Sequence, residues 1–575
     1  MQKRILSLTL ALVLVFALAC PALAVPTQND PIIVIPGYTA TQLFSSPADP
    51  ADRTLVWNPD FNDIGQELLN ELPGLLGGGL IYAVTGWNKI IVDAFSRAAG
   101  RFLDKFVINP DGTRKHDVGP WPGTAADFSL ASIRAKTADD PNARYLSQLG
   151  SFCRRFESQV GAQNIFIFQY EWRDPTLRSS ESLRTFIDEV LALTGKSRVR
   201  LFGSSYGGQV CGAYLHDYAQ EGKVSKVVME FPALGGSSMI PGLLTGENFS
   251  IQIETFTRFI QSYMDTEMKL DPILKWLSLK LLYPLATDLL QAGLLPIAKT
   301  WGSLWDLIPA KEYDATKAAV LQPDEHYDWE AYCDRMHHEV MPGIGKTLQD
   351  AQEVHGIEIR IVANTGSPHL LGASDINSDS ILDVQYTTGA KALPLGKHGI
   401  TQSYSICTDT GHTHVSPGQD IDASAAWLPD HTWFVQGQYH GSSYMDPYAL
   451  ELECALMMGE NVNTVFDDPA YPQFGQCRQP TEGLALHFNG SALHVENLSR
   501  ERDAQLLSIC APGLKFEKLP GGRLKPGEAI TIACTESKAQ PGAYVPVTVS
   551  YLQFNGNLPV PLCKTFDYTQ GGTSP

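Results

Sequence analysis

Charge is scarce in this chain, and positive charge is scarcest. Only 18% of its 575 residues are charged, with 43 basic against 62 acidic and a formal charge of −19. That balance excludes a basic face for a nucleic-acid backbone. Cysteine is also sparse and unpatterned, and no CxxC occurs, which argues against a zinc knuckle or a thioredoxin-like site. Beyond Cys20 there are nine cysteines, an odd number that leaves at least one unpaired and makes no disulfide scaffold. One or two bridges in the Cys-richer C-terminal part fit the pattern, and their connectivity stays open. No internal repeat is present. Long uninterrupted apolar runs are missing after the N-terminus: Ile273 to Ala298 carries Lys275, Lys280, Pro284 and Asp288, each costly at a bilayer centre. What the chain has is apolar mass, 44% hydrophobic with 10 Trp, 21 Tyr and 24 Phe. That rules out a disordered or fibrous protein and, at this length, predicts more than one folded unit.

Residues 1–24 read as an export signal. Lys3 and Arg4 precede an apolar run from Ile5 to Ala19, and Ala22-Leu23-Ala24 supplies small residues for cleavage. Removing those two cations carries the formal charge from −19 to −21. Secretion is the expectation. Lipid anchoring at Cys20 is the lesser alternative, because Ala17-Leu18-Ala19-Cys20 lacks the usual leucine three residues before the cysteine.

From Pro31 to about Asp467, short apolar strands alternate with helical segments, the pattern of an α/β domain with a mostly parallel sheet. Ile32 to Ile35, Ile165 to Phe168, Val199 to Phe202, Val227 to Met229 and Ile359 to Val362 are its strands. Leu183, Phe186, Ile187, Val190 and Leu191 mark one helix. Two apolar insertions, near 62–106 and 247–320, read as helical caps over a pocket or as an extra helical layer. After about residue 478 the texture becomes short alternating runs with Pro and Gly turns, predicting a β-sandwich accessory unit over 479–575. Three Asn-x-Ser sequons occur, at Asn248, Asn489 and Asn497.

The strongest chemical signal is Gly203-Ser204-Ser205-Tyr206-Gly207, which closes a strand and opens a helix. A nucleophile elbow needs small residues around its serine because the turn is sharp, and the helix start aims amides at developing negative charge. Gly441-Ser442-Ser443-Tyr444-Met445 is nearly the same string without the closing glycine or the strand–helix frame. Ser205 is therefore the candidate nucleophile. Its base should lie late in the chain, and His440, just past the run Thr432 to Gln436, is placed to exchange the serine proton. For the acid, Asp409 after Tyr404 to Cys407 leads, followed by Asp420; Asp422, Asp375, Asp379 and Asp383 remain open. The oxyanion donors expected are the amides of Tyr206 and of Tyr38, after Pro36-Gly37.

Assembled in this order, these residues resemble the lecithin:cholesterol acyltransferase family of phospholipid acyltransferases and phospholipases. Ile32 to Tyr38 looks like its first strand and oxyanion loop. Phe168-Gln169-Tyr170-Glu171-Trp172-Arg173-Asp174-Pro175 is similar to its Tyr-Asp-Trp-Arg segment, with Glu171 in place of Asp. Phe231 to Ser237 and Trp301 to Pro309 look like its Gly-Ala-Pro-Trp-Gly-Gly-Ser and Trp-Leu-Leu-Pro stretches. Two departures stand out. Ser204 replaces the usual His before the nucleophile. The acid's Gly-Asp-x-Thr-Val segment corresponds to Asp409 to Val415, where His412 occupies the Asp position.

The resemblance implies an α/β-hydrolase fold and a Ser-His-Asp triad. It further implies acyl transfer from a lipid ester, a glycerophospholipid above all, to an alcohol or water at a membrane or lipoprotein-like interface, without a cofactor. A triacylglycerol lipase or carboxylesterase, or a catalytically impaired lipid-binding surface protein, are the competing readings. Two weaker patterns suggest metal: Asp409-x-x-His412-x-His414, and a calcium-loop start at Asp375-x-Asn377-x-Asp379 that has Tyr386 where a carboxylate belongs. Polar loops are the reading preferred for both, so no metal is expected.

Overall fold

The computed structural model describes residues 29–49, 52–57, 71, 85, 88–137, 153, 156–157, 159–247, 290–369, 375–401, 412–438, 440, 447–459, 462–476, 484–488, 491–499, 502–511, 513–538, 544–555 and 558–569. The export signal, most of the second insertion, Asp409, the Gly441 string, the boundary near 478 and the sequons at Asn248 and Asn489 lie outside them.

Seven strands form the central sheet: β1 (Ile32–Ile35), β2 (Ile165–Ile167), β3 (Val199–Ser204), β4 (Val224–Glu230), β5 (Glu358–Thr365), β6 (Thr432–Gln436) and β7 (Phe474–Gln476). Their order is β7-β6-β5-β4-β3-β1-β2, and every pairing is parallel. A parallel sheet covered on both faces asks for strands apolar throughout. β1 meets that demand with Ile-Ile-Val-Ile, none more than 1% exposed. The strand period of two then divides these residues between two cores. Ile33, Ile35, Leu201, Val227, Met229 and Ile361 join one apolar cluster, while Ile32, Val34, Phe202, Val228, Val362 and Trp433 join the other.

Helices close both faces. α1 (Thr176–Thr194) starts after Pro175 and stops at Gly195, whose φ of 67° supplies the left-handed cap that a Cβ disfavours. It buries Leu183, Phe186, Ile187 and Val190, the apolar stripe legible in the sequence. α2 (Tyr206–Tyr218) and α3 (Met341–Glu353) lie on the same face, and α4 (Pro447–Met458) covers the other with Leu452 and Leu456.

The described parts of the two insertions pack on each other. A helix from Lys89 to Leu103 buries Ile91, Ala94, Ala98 and Phe102. A Cβ on Gly293 would sit 3.1 Å from Ala99 Cβ and 3.2 Å from the Phe95 ring, so the Leu290–Leu294 turn rests directly against that helix.

Beyond residue 483, two antiparallel sheets of four and three strands are present. Leu484, Leu493, Val495 and Ile532 of the first share one apolar cluster with Leu506, Val547, Val549 and Tyr551 of the second. Asn497 belongs to this core. It is 0% exposed and its Nδ2 donates to the Arg502 and Leu524 carbonyls, so this sequon offers no acceptor on the folded protein. Among the described helices none is long and apolar enough to cross a membrane.

Candidate active site

Ser205 stands between β3 and α2 with φ 56° and ψ −120°. A non-glycine residue there costs on the order of 1–3 kcal/mol and persists only where its surroundings hold it. They do so here: Ser205 N donates to the Glu230 carbonyl at 3.0 Å, and its own carbonyl accepts the Ala233 amide at 3.1 Å. The flanking glycines are steric necessities. A Cβ on Gly203 would lie 2.7 Å from Cys211 Sγ, and one on Gly207 would lie 2.2 Å from the Ile35 carbonyl oxygen.

His440 follows β6 and reaches back over the sheet end. Its Nε2 lies 2.9 Å from Ser205 Oγ, and its Nδ1 lies 2.7 Å from Asp379 Oδ2. With a carboxylate at Nδ1, that nitrogen carries the hydrogen and Nε2 is left to accept the serine proton. The Phe231 ring meets the imidazole edge-on at 4.7 Å, and the His440 amide donates to the Asp379 carbonyl at 2.7 Å. Ring and main chain are thus both fixed.

The carboxylate beside His440 is therefore Asp379, not the leading sequence candidate. Asp409 lies outside the described residues, and the position at Nδ1 assigned to it is already filled. Asp379 is 1% exposed, and its Oδ1 accepts the amides of Ile381 at 3.0 Å and Leu382 at 2.7 Å. Ser380, inside that turn, takes φ 91°, a conformation natural to glycine.

The other candidate acids have different partners. Asp420 accepts Ser416 Oγ at 2.6 Å and Asn377 Nδ2 at 3.0 Å, while Asn377 Oδ1 accepts the Gly366 amide at 2.9 Å. Asp420 thus braces the loop that carries Asp379. Asp383 holds Ser238 through its amide and hydroxyl, and Asp422 holds Ser424 in the same way. Asp375 takes part through its main chain, its carbonyl accepting the Leu395 amide at 2.5 Å.

The same bonds use up the calcium-loop pattern, since Asn377 and Asp379 spend their oxygens on protein donors. His414 faces Gln473 Oε1 at 2.8 Å and Asp430 at 3.3 Å. No group of three potential metal-binding side chains occurs among the described residues.

Gly37 brings the loop after β1 against the nucleophile: a Cβ there would sit 3.1 Å from Ser205 Cβ and 3.6 Å from Oγ. Tyr170 Oη donates to the Pro36 carbonyl at 2.7 Å and anchors this loop from below. The Tyr38 ring packs edge-on against Trp172 and Tyr206 at 5.5 and 5.6 Å, and burial pushes its phenol pKa well up, so the group is neutral. Tyr206 opens α2, and an amide in the first helical turn has no intrahelical acceptor.

The segment from Tyr170 to Asp174 is a brace rather than a reacting group. Arg173 is 1% exposed and pairs with Glu171 at 2.7 Å while donating to the Val118 carbonyl at 2.7 Å. The Asp174 carboxyl is pushed up to about 7 by burial and by the charge of Glu171.

A parallel sheet with a strained serine between strand and helix, and a histidine and aspartate arriving from later strand ends, is consistent with an α/β-hydrolase-like fold. No family model matches the chain, and no curated protein matches it either. The resemblance to the lecithin:cholesterol acyltransferase family therefore rests on its motifs alone. Three solved structures are similar at low identity. The structure described as the Tle4–Tli4 complex has a TM-score of 0.33 and 14% identity, covering 77% of this chain and 100% of that one. Phospholipase PlaB from Legionella pneumophila has a TM-score of 0.25 and 8% identity, covering 77% and 88%. The same phospholipase in complex with thio-NAD has a TM-score of 0.23 and 9% identity, covering 73% and 85%.

Proposed function

We propose that this chain is an exported serine acyl-hydrolase or acyltransferase acting on lipid esters, glycerophospholipids first among them. The observation that carries the reading is the continuous line Ser205 Oγ, His440 Nε2, His440 Nδ1, Asp379 Oδ2, with spacings of 2.9 and 2.7 Å, built on a strained elbow. Such strain in a buried, over-determined turn is characteristic of reacting serines.

In this mechanism Ser205 Oγ attacks the ester carbonyl carbon as His440 Nε2 takes its proton. Asp379 keeps the ring oriented and stabilises the imidazolium that forms. The carbonyl electrons move onto oxygen, which the amides of Tyr206 and Tyr38 stabilise. Collapse breaks the bond to the leaving alkoxide, which takes the proton from His440, and an acyl-serine remains. Water or an acceptor alcohol, activated by the same histidine, then releases the acyl group. The apolar insertions suit an acyl chain better than a small polar ester.

The test is mass spectrometry of products from mixed phospholipids supplied with a sterol and a simple alcohol, run beside Ser205→Ala. Lysolipid and free fatty acid from the wild type alone mean hydrolysis, and an acceptor ester means transfer. Equal product from both proteins would sink the serine mechanism.

A further inference from the structure

Behind the nucleophile lies a second buried cluster that the acyl-transfer steps do not use. Asp306 is 0% exposed; its Oδ2 accepts the Thr176 amide at 2.6 Å and its carbonyl accepts Gln209 Nε2 at 2.7 Å. Thr176 Oγ1 in turn lies 3.0 Å from Tyr206 Oη and 3.2 Å from Gln209 Oε1. Asp306 is thus linked, through Thr176 and Gln209, to the first residue after the nucleophile.

Close to Asp306 sits His337, 1% exposed and stacked flat on Tyr313 with ring centroids 3.9 Å apart. Its Nδ1 is 2.7 Å from the Cys333 carbonyl oxygen and its Nε2 is 2.9 Å from the Ile308 carbonyl oxygen. Carbonyl oxygens only accept, whereas a neutral imidazole has a single N–H. A neutral ring would therefore press a lone pair against an oxygen at one of these two contacts. Both are hydrogen bonds only when the ring carries both hydrogens.

The backbone supports this arrangement. Met336–Val340 winds as a π-turn, with the Met341 amide reaching back to the Met336 carbonyl. Such turns are rare and concentrate at functional positions.

The groups facing His337 are Asp306, Tyr313, Cys333, Asp334 and His338. Cys333 donates to the Gly302 carbonyl at 3.3 Å, and burial raises its thiol pKa so far that it stays neutral. The Tyr313 phenol is likewise raised and donates to Asp334, which is already paired with Lys317. His338 turns outward to Asp314. Asp306 is the nearest acid, but it forms no ion pair with His337, and burial pushes its own carboxyl up towards the neutral form. Burial is the largest influence on His337 and leaves its pKa lowered on balance, against the upward pull of Asp306 and the two carbonyls. The two short carbonyl contacts decide for the charged form.

We propose that His337 is a buried imidazolium held between the Cys333 and Ile308 carbonyls, and that through the Asp306–Ile308 turn it is a positioning element for Tyr206 and its oxyanion-binding amide. The positioning role rests on the reading of Ser205 as the acyl-transfer nucleophile; the charge state does not.

Nitrogen-15 spectra of the histidines in the full chain at pH 8, assigned with His337→Gln, test the charge. Two protonated ring nitrogens are expected, and a neutral-tautomer pattern would overturn it. Fluorophosphonate labelling of Ser205 tests the positioning. His337→Gln should slow it by about tenfold or more, since small misplacements of catalytic groups cost that much, and should displace its alkaline limb. A rate and pH profile identical to wild type would overturn the role. If that variant does not fold, the wild type decides alone. Labelling should fall as the His337 nitrogens lose their proton, and labelling that ignores that titration refutes the role. A wild type that never labels removes the site reading and the positioning role together, while the nitrogen spectrum still decides the charge.

Discussion

Replacing Asp379 by Asn is the sharpest test of the site, because the geometry dictates which way the amide must turn. Asp379 Oδ1 accepts two main-chain amides, from Ile381 and Leu382, and Oδ2 accepts His440 Nδ1–H. An asparagine NH₂ placed at Oδ1 would face two donors and forfeit both bonds, each worth about 1 kcal/mol and more once left buried and unpaired. The amide therefore keeps its oxygen there and directs NH₂ at His440. The ring can accept that bond only by moving its hydrogen to Nε2, which then has no lone pair for the Ser205 proton. Trapping the wrong tautomer should lower kcat by about 10³–10⁴-fold, a barrier increase of about 4–5.5 kcal/mol, with KM little changed. Thermal stability should fall only slightly, since the turn keeps its hydrogen bonds. The assay is ester hydrolysis by wild type, Asp379→Asn and Asp409→Asn in parallel, with melting temperatures for each. Asp409→Asn should stay within about threefold of wild type, as expected for a residue outside the relay. Activity lost in Asp409→Asn and kept in Asp379→Asn would refute this account of the site.

Three further outcomes follow from the same geometry. Ser380→Gly should raise stability by up to about 1 kcal/mol by relieving the positive φ, read as a higher urea midpoint, with kcat unchanged. Gly207→Ala should abolish soluble, labelled enzyme, because its Cβ would sit 2.2 Å from the rigid Ile35 carbonyl oxygen and cannot be accommodated by a rotamer change. Asp174 has a pKa raised from 3.8 to about 7, so its folded form binds the proton more tightly and stability falls as pH rises through that window. The melting temperature of Asp174→Asn relative to wild type should therefore increase between pH 4 and pH 8, and a pH-independent difference would count against the raised value.

How much of this was legible depended on whether a feature is local in sequence. The elbow and His440 announce themselves because strand, turn glycines and following helix or loop are contiguous, and β1 and α1 show their burial through periods of two and 3.6. Asp379 has no such frame. It lies in an irregular loop 14 residues beyond the end of β5, with a serine at the φ 91° position where a glycine would have flagged the turn. The available clue was Asp379-Ser380-Ile381-Leu382, an aspartate followed by a small residue and two apolar ones, much as in the Gly-Asp-x-Thr-Val pattern sought at Asp409. Asp420, the second sequence candidate, belongs to the same structure in another capacity. Through Asn377 it ties the loop to Gly366 at the end of β5, so the acid is held by side-chain bonds rather than by secondary structure. Cutting that tie with Asn377→Ala should loosen Asp379 without removing it. The expected signature is a fall in kcat of about tenfold with the relay residues intact, since a displacement of even 1 Å costs up to about 10²-fold. Asp420→Asn can keep its oxygen on Asn377 Nδ2 but then turns its NH₂ to Ser416 and loses that hydroxyl bond, so it should show the same loss in milder form. Full activity in both variants would mean that the sheet end alone positions the carboxylate.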